Sequence, residues 1–423
     1  MAARGRRRSP SSPCLGGIAI TTPAPAPFEP PGASSSAEIA RLAAAAGLQR
    51  VHILAWRDLA DVEAGGSELH AAEVARRWAA AGLEVTMRTS YAQGSPPTGA
   101  RDGYRVIRRR GRYMIFPAAV VAELRGLHGP RDGLVEIWNG VPFLTPLWAR
   151  GPRICLIHHV HRDMWRLVLE ERLARLGEML ELRILPPIYR RTPIVTLSES
   201  SRRELIEQMH FRPELVRVVP PGIDPRFSPG GEKSRTPLVV SVGRLMPSKG
   251  FDALIRIAAE VRDSVPELEL VIVGDGYERD RLEQLVSDLD ATGWVHLVGR
   301  LSDDELLALY RRAWVVASAS IAEGWGMTLT EAAACGTPAV ATRIAGHLDS
   351  VSEDESGLLA DSDREFVAKL RAVLTDHDLR VRLSEGARKH ADRYTWDATA
   401  LGVFTPLAED AIRRRARRRG RGR

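Results

Sequence analysis

Residues 319–346, ASIAEGWGMTLTEAAACGTPAVATRIAG, decide the fold of this chain. The apolar run AWVVASAS that leads into them (313–320) predicts a buried parallel strand that ends at a loop. The loop 323–326 (EGWG) then opens a helix at about Met327, and the first free N–H groups of that helix suit a phosphate. Ligands of open α/β sheets bind beyond the carboxyl ends of strands, so this loop is a candidate binding site.

Two glutamates, Glu323 and Glu331, lie in this stretch with seven residues between them. Glu331 falls about one turn into the predicted helix, beside a bound anion rather than under it. This position suits a carboxylate that holds sugar hydroxyls. The spacing alone fits equally well an ordinary strand, loop and helix that carry two solvated glutamates. Other parts of the chain must decide between this interpretation and a binding site.

The residues around this stretch repeat the same alternation of strands and helices. Apolar runs predict strands at Leu238–Val242, Leu268–Val273, Val295–Val298, Ala313–Ser318 and Pro338–Ala341. Ser302 and Glu305 have the spacing of a capping box at the start of the helix that follows the third of these strands. Strands that alternate with helices predict a parallel sheet.

A similar unit opens the N-terminal half. The run Arg50–Ala55 predicts a strand, Gly65 and Gly66 break the chain after it, and Ser67 is the expected cap of the next helix. Further strands are expected at 83–88, 104–108, 134–138, 154–157, 194–197 and 216–219. The chain is therefore predicted to be α/β, with two Rossmann-like, doubly wound parallel-sheet domains facing a central cleft. The first loop lacks G-x-G-x-x-G, so a dinucleotide site of that type is not supported.

Two cations of the second half are candidate contacts for an anion. Arg244 directly follows the strand at 238–242, and Lys249 lies five residues later in the same loop. Two cations in one strand-end loop can reach a single diphosphate. Either cation alone fits a surface position as well, but together with the glutamate pair they favour a phosphate site. The Walker signature G-x-x-x-x-G-K-[ST] is absent.

Three histidines, His158, His159 and His161, follow the strand at 154–157 and are expected at the cleft. A histidine there can orient or polarise a sugar donor or acceptor. Histidines satisfied by backbone carbonyls are the structural alternative. Neither H-E-x-x-H nor a paired cysteine spacing accompanies them, so no metal site is predicted.

The length of 423 residues predicts two or three domains, and composition divides the chain further. The predicted segments are a disordered tail rich in Pro, Ser and Ala (1–47), an N-terminal domain (48–225), a polar linker (226–236), a C-terminal domain (237–392), a final helix (393–412) and a basic disordered tail (413–423).

The formal net charge of +7 arises from twelve arginines in two terminal stretches, residues 1–8 and 413–423. The rest of the chain is slightly acidic, so nucleic acid is not an expected partner. Three cysteines without paired spacing, no signal peptide and no apolar run of about 18 residues predict a cytoplasmic protein. The basic and apolar segment 158–191 leaves open a peripheral contact with the inner face of a membrane.

The motifs AGGSE, LIHH, SVGRLMPSKG, VIVGDG, VGRLSDDEL, EGWGMTLTEAAACGTPAVAT and YTW together resemble the retaining glycosyltransferases of family 4, which have the GT-B fold. The resemblance extends over nearly all of residues 50–412. It implies a nucleotide-diphospho-sugar donor, such as a UDP- or GDP-hexose, bound mostly by the C-terminal domain. It implies a carbohydrate or lipid-linked acceptor on the N-terminal domain, no cofactor or metal, and a role in carbohydrate biosynthesis at the cell envelope.

The same resemblance implies roles for individual residues. Arg244 and Lys249 neutralise the diphosphate, Glu323 contacts the donor sugar, and Glu331 binds the ribose. Either His158 or His159 is the histidine of the cleft. The other donor-side positions are Gly65, Gly66, Gly243, Gly274, Arg300, Gly326, Met327 and Thr328. The last helix is similar to one that crosses back onto the first domain.

The expected function is transfer of a hexosyl unit to an unidentified hydroxyl acceptor, with retention of configuration, through a front-face mechanism. A sugar-nucleotide epimerase on the same fold is one alternative, and it predicts turnover without an acceptor. A non-catalytic adaptor for membranes or nucleic acid is another. Its function would depend on the arginine-rich tails and not on Lys249.

Overall fold

The structure is a computed structural model that describes residues 35–162 and 164–421. Each half of the chain contains one large β-sheet, and helices cover the faces of both sheets. The prediction of two doubly wound α/β sheets is confirmed. The first 34 residues of the predicted N-terminal tail, with Cys14, lie outside the described residues.

The N-terminal half has an eight-stranded sheet in the order β3-β4-β2-β1-β5-β6-β7-β8. Its strands are β1 (Arg50–Leu54), β2 (Glu84–Thr89), β3 (Thr98–Arg101), β4 (Tyr104–Arg108), β5 (Gly133–Trp138), β6 (Arg153–Ile157), β7 (Ile194–Thr196) and β8 (Val216–Val218). Neighbouring strands are parallel except for the antiparallel pair β3 and β4. The order reverses between β1 and β5, so the loop after β1 lies at a topological switch point.

The helices of this half are α1 (Ser35–Ala46), α2 (Gly66–Ala80), α3 (Ile115–Leu124), α4 (Thr145–Trp148), α5 (Met164–Val168), α6 (Glu171–Met179), α7 (Pro186–Tyr189) and α8 (Glu199–Glu207). A π-helix (Leu180–Ile184) joins α6 to α7, and a 3₁₀ turn (Pro213–Leu215) precedes β8. In the segment 158–191, leucines spaced by three and four predict a helix with a break at Pro186 and Pro187. The structure has several short helices there, and the two prolines begin α7.

The C-terminal half has a six-stranded sheet in the order β11-β10-β9-β12-β13-β14. The strands are β9 (Leu238–Val242), β10 (Glu269–Val273), β11 (Val295–Gly299), β12 (Val315–Ser318), β13 (Ala339–Thr342) and β14 (Gly357–Ala360). All neighbouring pairs are parallel. This is the Rossmann strand order, and its switch point lies between β9 and β12. The loops after these two strands carry Arg244, Lys249 and Glu323.

The helices of the second half are α9 (Phe251–Arg262), α10 (Arg279–Asp288), α11 (Asp303–Arg312), α12 (Met327–Ala334), α13 (His347–Ser350), α14 (Asp363–Thr375), α15 (His377–Ala391) and α16 (Trp396–Arg421), with a 3₁₀ turn at Pro247–Lys249. The capping box of Ser302 and Glu305 at the start of α11 is confirmed. Helix α16 packs in the core of the N-terminal half, where Trp78 Nε1 donates a hydrogen bond of 3.0 Å to the carbonyl of Ala400.

Both predicted tails contain regular structure. Residues 35–46, expected to be disordered, form α1, whose residues Ile39, Ala43 and Ala46 are buried against α16. Residues 413–421, also expected to be disordered, continue α16 as a helix. An apolar stripe at helical spacing gives α1 a face to bury, and this outweighs its Ala- and Ser-rich composition.

Three local predictions need correction or refinement. Ser67 does not cap α2, because the helix begins one residue earlier and Gly65 occupies the cap position. The acidic sequences DSD (361–363) and DHD (376–378) follow no strong strand signal, so the sequence predicts plain surface for both. In the structure the first includes Ser362 and the second Asp376, whose side chains cap α14 and α15. Among the described residues, no helix has both the length and the apolar character needed to cross a bilayer.

Candidate active site

The site is built where the loops after β9 and β12 meet. Gly250 follows Lys249 with φ +61°, and a Cβ atom there would lie 2.1 Å from the carbonyl oxygen of Ala319. The left-handed conformation and the missing side chain together let the β9 loop lie against the end of β12. This packing brings Lys249 to Glu323, and the two side chains form an ion pair.

The Lys249–Glu323 pair is the electrostatic centre of the site. Ser320 also donates a hydrogen bond of 3.1 Å to the carboxylate of Glu323. Burial would raise the pKa of Glu323, but the opposing effects of Lys249, His347 and Ser320 together outweigh it, so the pKa is lowered. The site therefore holds a half-buried carboxylate that stays ionised beside a cation at neutral pH.

Arg244 lies in the same β9 loop as Lys249 and contacts the N-terminal half. Its Nη1 donates a hydrogen bond of 3.4 Å to the carbonyl of Glu63. A Cβ atom at Gly65 would lie 3.7 Å from its Nε. Burial lowers the pKa of Arg244, and Glu68, Glu63 and Glu323 are the carboxylates that oppose this effect.

The glycine-rich loop after β1 is held by carboxylates. Glu68 accepts a hydrogen bond of 2.9 Å from the backbone N–H of Gly65 and one of 3.2 Å from Nε of Arg57. A Cβ atom at Gly66 would lie 2.9 Å from Sδ of Met327, the first residue of α12. The loop and the start of α12 thus approach each other across the two halves.

The other predicted glycines serve close backbone approaches. Gly274 has φ +134°, and a Cβ atom there would lie 1.9 Å from the carbonyl oxygen of Gly243. A Cβ atom at Gly243 would lie 3.5 Å from Cδ of Lys249. Gly326 caps α12 with φ +98°, and Thr328 is half-buried in the first turn of that helix. Arg300 is exposed and donates a hydrogen bond to the carbonyl of Val62, so it contacts the opposite loop.

Glu331 lies in α12, where the hydroxyl of Tyr310 donates a hydrogen bond of 3.2 Å to its carboxylate. Burial raises the pKa of Glu331 to about 7. The carboxylate of Glu331 is thus protonated at a higher pH than an ordinary glutamate. A ribose whose hydroxyls donated to it would favour the ionised form.

The raised pKa of Glu331 predicts a pH dependence of stability. The folded-state pKa of about 7 exceeds the ordinary value of 4.5, so the folded protein binds this proton more tightly. The stabilisation is complete below the ordinary value and is lost as pH rises through about 7. The free energy of unfolding should therefore fall more between about pH 5 and pH 8 in the wild type than in Glu331→Gln, measured by urea denaturation.

The exposed Glu267 provides the control for this experiment, since Glu267→Gln should follow the wild-type pH profile. Glu136, whose pKa burial raises to about 7, contributes to the same pH range in all three proteins. Only the difference between the variants reports on Glu331. Parallel profiles for the wild type and Glu331→Gln would contradict the assignment.

The two candidate histidines of the cleft have different surroundings. His158 is 5% exposed, and both of its ring nitrogens contact α2. Nδ1 lies 3.0 Å from the hydroxyl of Ser67, and Nε2 lies 3.3 Å from Nδ1 of His70. Burial lowers the pKa of His158 well below its ordinary value, so the ring is neutral. The residue that His158 orients is Ser67, at the start of α2 beside the glycine-rich loop.

The ring of His159 packs against the ring of His161, with ring centroids 4.5 Å apart. Its Nε2 is buried and has no hydrogen-bond partner among the described residues. Burial lowers the pKa of His159 to about 3, and the charges of Glu323 and Lys249 act on the ring. His159 is therefore the neutral histidine near the ion pair. His161 lies further out, beside Trp165.

One group outside the cleft has the residue types of a metal site. Nδ1 of His52 and Nδ1 of His128 each lie 2.8 Å from the same carboxylate oxygen of Glu123, and all three side chains are buried. Arg131 Nε donates to the other oxygen of Glu123 at 2.7 Å. The carboxylate is already paired with a cation, so a divalent ion would add positive charge to a neutralised, buried group. These residues fit a hydrogen-bonded network better than a metal site.

Two family models match consecutive parts of the chain. Glycosyltransferase Family 4 matches residues 64–227, and Glycosyl transferases group 1 matches residues 224–390. The D-inositol 3-phosphate glycosyltransferases of Salinispora arenicola and Corynebacterium jeikeium are 35% and 34% identical over 243 and 229 residues. These matches cover 51% and 49% of this chain and 54% and 55% of the relatives, so the chain spans about half the length of the curated relatives it matches.

Solved structures share the two-domain architecture. Sucrose-phosphate synthase from Thermosynechococcus elongatus superposes with a TM-score of 0.71 at 21% identity, over 84% of this chain and 96% of that one. Anabaena HepE, solved in complex with UDP and glucose, gives a TM-score of 0.67 at 18% identity, over 85% and 100%. Identities this low show the fold, which is GT-B. With both family models matched in order along 64–390, the chain belongs to glycosyltransferase family 4, a family of sugar-transferring enzymes with the GT-B fold.

Proposed function

We propose that this protein is a retaining glycosyltransferase that moves a hexosyl unit from a nucleotide-diphospho-sugar to a hydroxyl acceptor without a metal ion. The observation that carries the proposal is the Lys249–Glu323 ion pair at the switch point between β9 and β12. Arg244 lies in the loop after β9, and the first turn of α12 directly follows the loop after β12. Phosphate charge and sugar hydroxyls are the ligands that this combination suits.

Each donor-side residue has a proposed role. Lys249 and Arg244 contact the diphosphate, the N–H groups at Met327 and Thr328 face a phosphate oxygen, and Glu323 accepts from sugar hydroxyls. Glu331 accepts from the ribose. His159, whose buried Nε2 has no hydrogen-bond partner in the part of the chain that the structure describes, is proposed as the histidine that contacts the sugar. His158 acts indirectly, because it holds the hydroxyl of Ser67.

The chemistry follows from where charge develops. The acceptor oxygen attacks the anomeric carbon on the face of the leaving group, while the bond from that carbon to the β-phosphate oxygen breaks. The acceptor proton passes to a phosphate oxygen, and the nucleoside diphosphate departs. Lys249, Arg244 and the α12 N-terminus stabilise the growing negative charge. Each such contact is worth about 2–4 kcal/mol of the barrier.

A sugar-nucleotide panel tests the proposal. UDP-, GDP- and ADP-hexoses are screened by thermal shift, and a donor at about 100 times its dissociation constant should stabilise by about 2.7 kcal/mol. Anabaena HepE has been solved in complex with UDP-glucose, so UDP-hexoses are the first choice. The relatives named D-inositol 3-phosphate glycosyltransferases make an inositol phosphate the first acceptor to assay.

The product identifies the reaction. An α-linked donor should give an α-linked product by NMR, and the rate should be unchanged after treatment with EDTA. Inversion at the anomeric carbon would refute retention, and loss of activity that Mg²⁺ restores would refute metal independence. Turnover of the donor without any acceptor would favour the epimerase instead.

An exposed apolar ridge next to the cleft favours contact between this enzyme and a membrane surface. Leu173, Leu176 and Met179 in α6, with Leu169 before it and Ile184 after it, are between 39% and 53% exposed. Arg172, Arg175 and Arg183 are exposed along the same segment. Apolar side chains flanked by cations suit the headgroup region of an anionic bilayer. We therefore propose that the acceptor-side domain lies on such a surface.

The double variant Leu173→Glu/Leu176→Glu should bind phosphatidylglycerol vesicles at least about tenfold more weakly than the wild type in co-sedimentation. The reason is that burial of each leucine side chain in the bilayer would contribute about 1.5–3 kcal/mol to binding. Val381→Glu, at an apolar position of α15 that is 43% exposed, serves as the control and should bind normally. Equal binding of both variants, or no binding by the wild type, would exclude this ridge as a membrane contact.

A further inference from the structure

The start of α8 is capped from both halves of the molecule. Within its own half, the hydroxyl of Ser198 accepts a hydrogen bond of 3.1 Å from the N–H of Ser201. From the other half, Asp349 in α13 supplies a carboxylate. One oxygen accepts from the N–H of Glu199 at 2.8 Å, and the other accepts from the N–H and the hydroxyl of Ser200 at 3.1 and 2.5 Å.

The same turn of the C-terminal half adds a second contact. The N–H of Gly346 donates a hydrogen bond of 2.8 Å to the hydroxyl of Ser200, which is 5% exposed. The hydroxyl thus accepts from one domain's backbone and donates to that domain's carboxylate. We call these contacts of Gly346 and Asp349 with α8 the Asp349 latch.

Gly346 also lies against the loop that carries Glu323. Its φ is +86°, and a Cβ atom there would lie 2.6 Å from the carbonyl oxygen of Glu323 and 2.8 Å from the N–H nitrogen of Trp325. Because glycine has no side chain, the two backbone segments lie directly against each other. The segment 346–349 therefore contacts α8 on one side and the Glu323 loop on the other. A movement of α8 away from Asp349 would then also displace that loop.

We infer that Asp349 is a positioning residue that holds the two domains closed and fixes the Glu323 loop for the donor. A carboxylate at a helix N-terminus satisfies free N–H groups and is favoured by the helix dipole. Its usual contribution corresponds to a factor of about 5–30 in a two-state ratio. Asp349 touches no reacting atom in this scheme. It acts through Gly346 and the loop.

The latch is suited to repeated opening. Its groups are a carboxylate, three backbone N–H groups and a hydroxyl, and water can hydrate all of them when the domains separate. A buried apolar interface of the same size would open less readily. The contact therefore favours the closed arrangement without making it permanent, as release of the nucleoside diphosphate requires.

The test compares Asp349→Ala with Asp376→Ala. Asp376 caps α15 through the N–H of Leu379 at 2.9 Å, entirely within the C-terminal half. Both variants lose one helix cap, but only the first loses a contact between the halves. In Asp349→Ala, hydrogen exchange at the amides of Glu199 and Ser200 should accelerate about tenfold, and small-angle X-ray scattering should show a larger radius of gyration. In Asp376→Ala, exchange should accelerate at Leu379 and the radius should stay that of the wild type.

Unchanged exchange and scattering in Asp349→Ala would overturn the inference, as would the same domain opening in Asp376→Ala. A second measurement uses Ser200→Ala in a double-mutant cycle with Asp349→Ala. Because the two residues contact each other, the double variant should shift the open-to-closed ratio by less than the product of the single shifts. Full additivity would show that they do not act as one latch.

The activity measurement rests on the proposed function, whereas exchange and scattering need no substrate. In the transfer assay, Asp349→Ala should raise the donor KM by about 5–30-fold and lower kcat less, since only the closed fraction binds the donor productively. Asp349→Asn, which keeps one acceptor oxygen, should lie between Asp349→Ala and the wild type. Opening without any change in donor KM would refute the coupling to the Glu323 loop, while absence of transfer in all proteins would count against the proposed function alone.

Discussion

Replacing Lys249 with methionine should lower kcat/KM for sugar transfer by about 10²–10³-fold, which is the usual loss when one preorganised group that stabilises transition-state charge is removed. The ammonium of Lys249 is held in place by Glu323, so it is oriented before the substrate arrives. Without it, the leaving diphosphate loses a cation, and Glu323 loses the partner that lowers its pKa. Steady-state kinetics with the best donor of the panel measures the effect.

Three further variants make this result specific. Lys389→Met, at an exposed position in α15, should leave the kinetics unchanged. Lys249→Arg keeps the charge but not the geometry and should retain part of the activity. Glu323→Ala should be as damaging as Lys249→Met while the fold persists by circular dichroism. Transfer at the wild-type rate by purified Glu323→Ala would remove Glu323 from the site.

Changing Gly324 to alanine should reduce kcat/KM by about 10²-fold with little loss of thermal stability, because the clash it creates lies between the two halves. A Cβ atom at Gly324 would sit 2.3 Å from the carbonyl oxygen of His158 in the other half. Gly324 is not among the glycines with positive φ, so alanine fits its local backbone. The overlap is relieved when the halves move apart, and the catalytic groups then separate.

Two glycine controls separate this effect from unfolding. Gly293→Ala adds a methyl group that, apart from its own chain neighbours, meets no described atom within 4 Å, and it should change neither kinetics nor melting temperature. Gly250→Ala creates a clash inside the C-terminal half and imposes a left-handed conformation on alanine, so it should lower the melting temperature itself. If Gly324→Ala behaved like Gly293→Ala, the closed contact at His158 would be wrong.

Most strands were predictable because parallel sheets produce short apolar runs between glycine-containing loops. The runs that became β9, β10 and β12 are of this kind. Among the elements that escaped are β3, β14 and α1. The four residues of β3 and of β14 are too few to give a periodicity, and α1 lies in a region whose composition suggests disorder. The burial of Ile39 depends on α16, more than 350 residues away in the chain, so no local pattern reveals its strength.

The residues of the site were easier to predict than their partners. Lys249 and Glu323 were identified separately, and their pairing agrees with a common ligand. The doubled histidine could not be resolved, because neighbouring residues at a strand end point to opposite sides and only tertiary structure says which side is which. No sequence pattern indicated a role for Asp349. Its role depends on its contact with α8, which belongs to the other half of the molecule.

The placement of α16 has a consequence for folding during synthesis. The core of the N-terminal half includes Val403, Phe404 and Leu407, and Trp78 packs against Phe404 with ring centroids 5.3 Å apart. These residues emerge from the ribosome after the whole C-terminal sheet. The second sheet, whose residues are contiguous, can therefore complete its core first, although it is translated last. A chain truncated before residue 396 should therefore still form a protease-resistant C-terminal half, while the first half lacks its final helix.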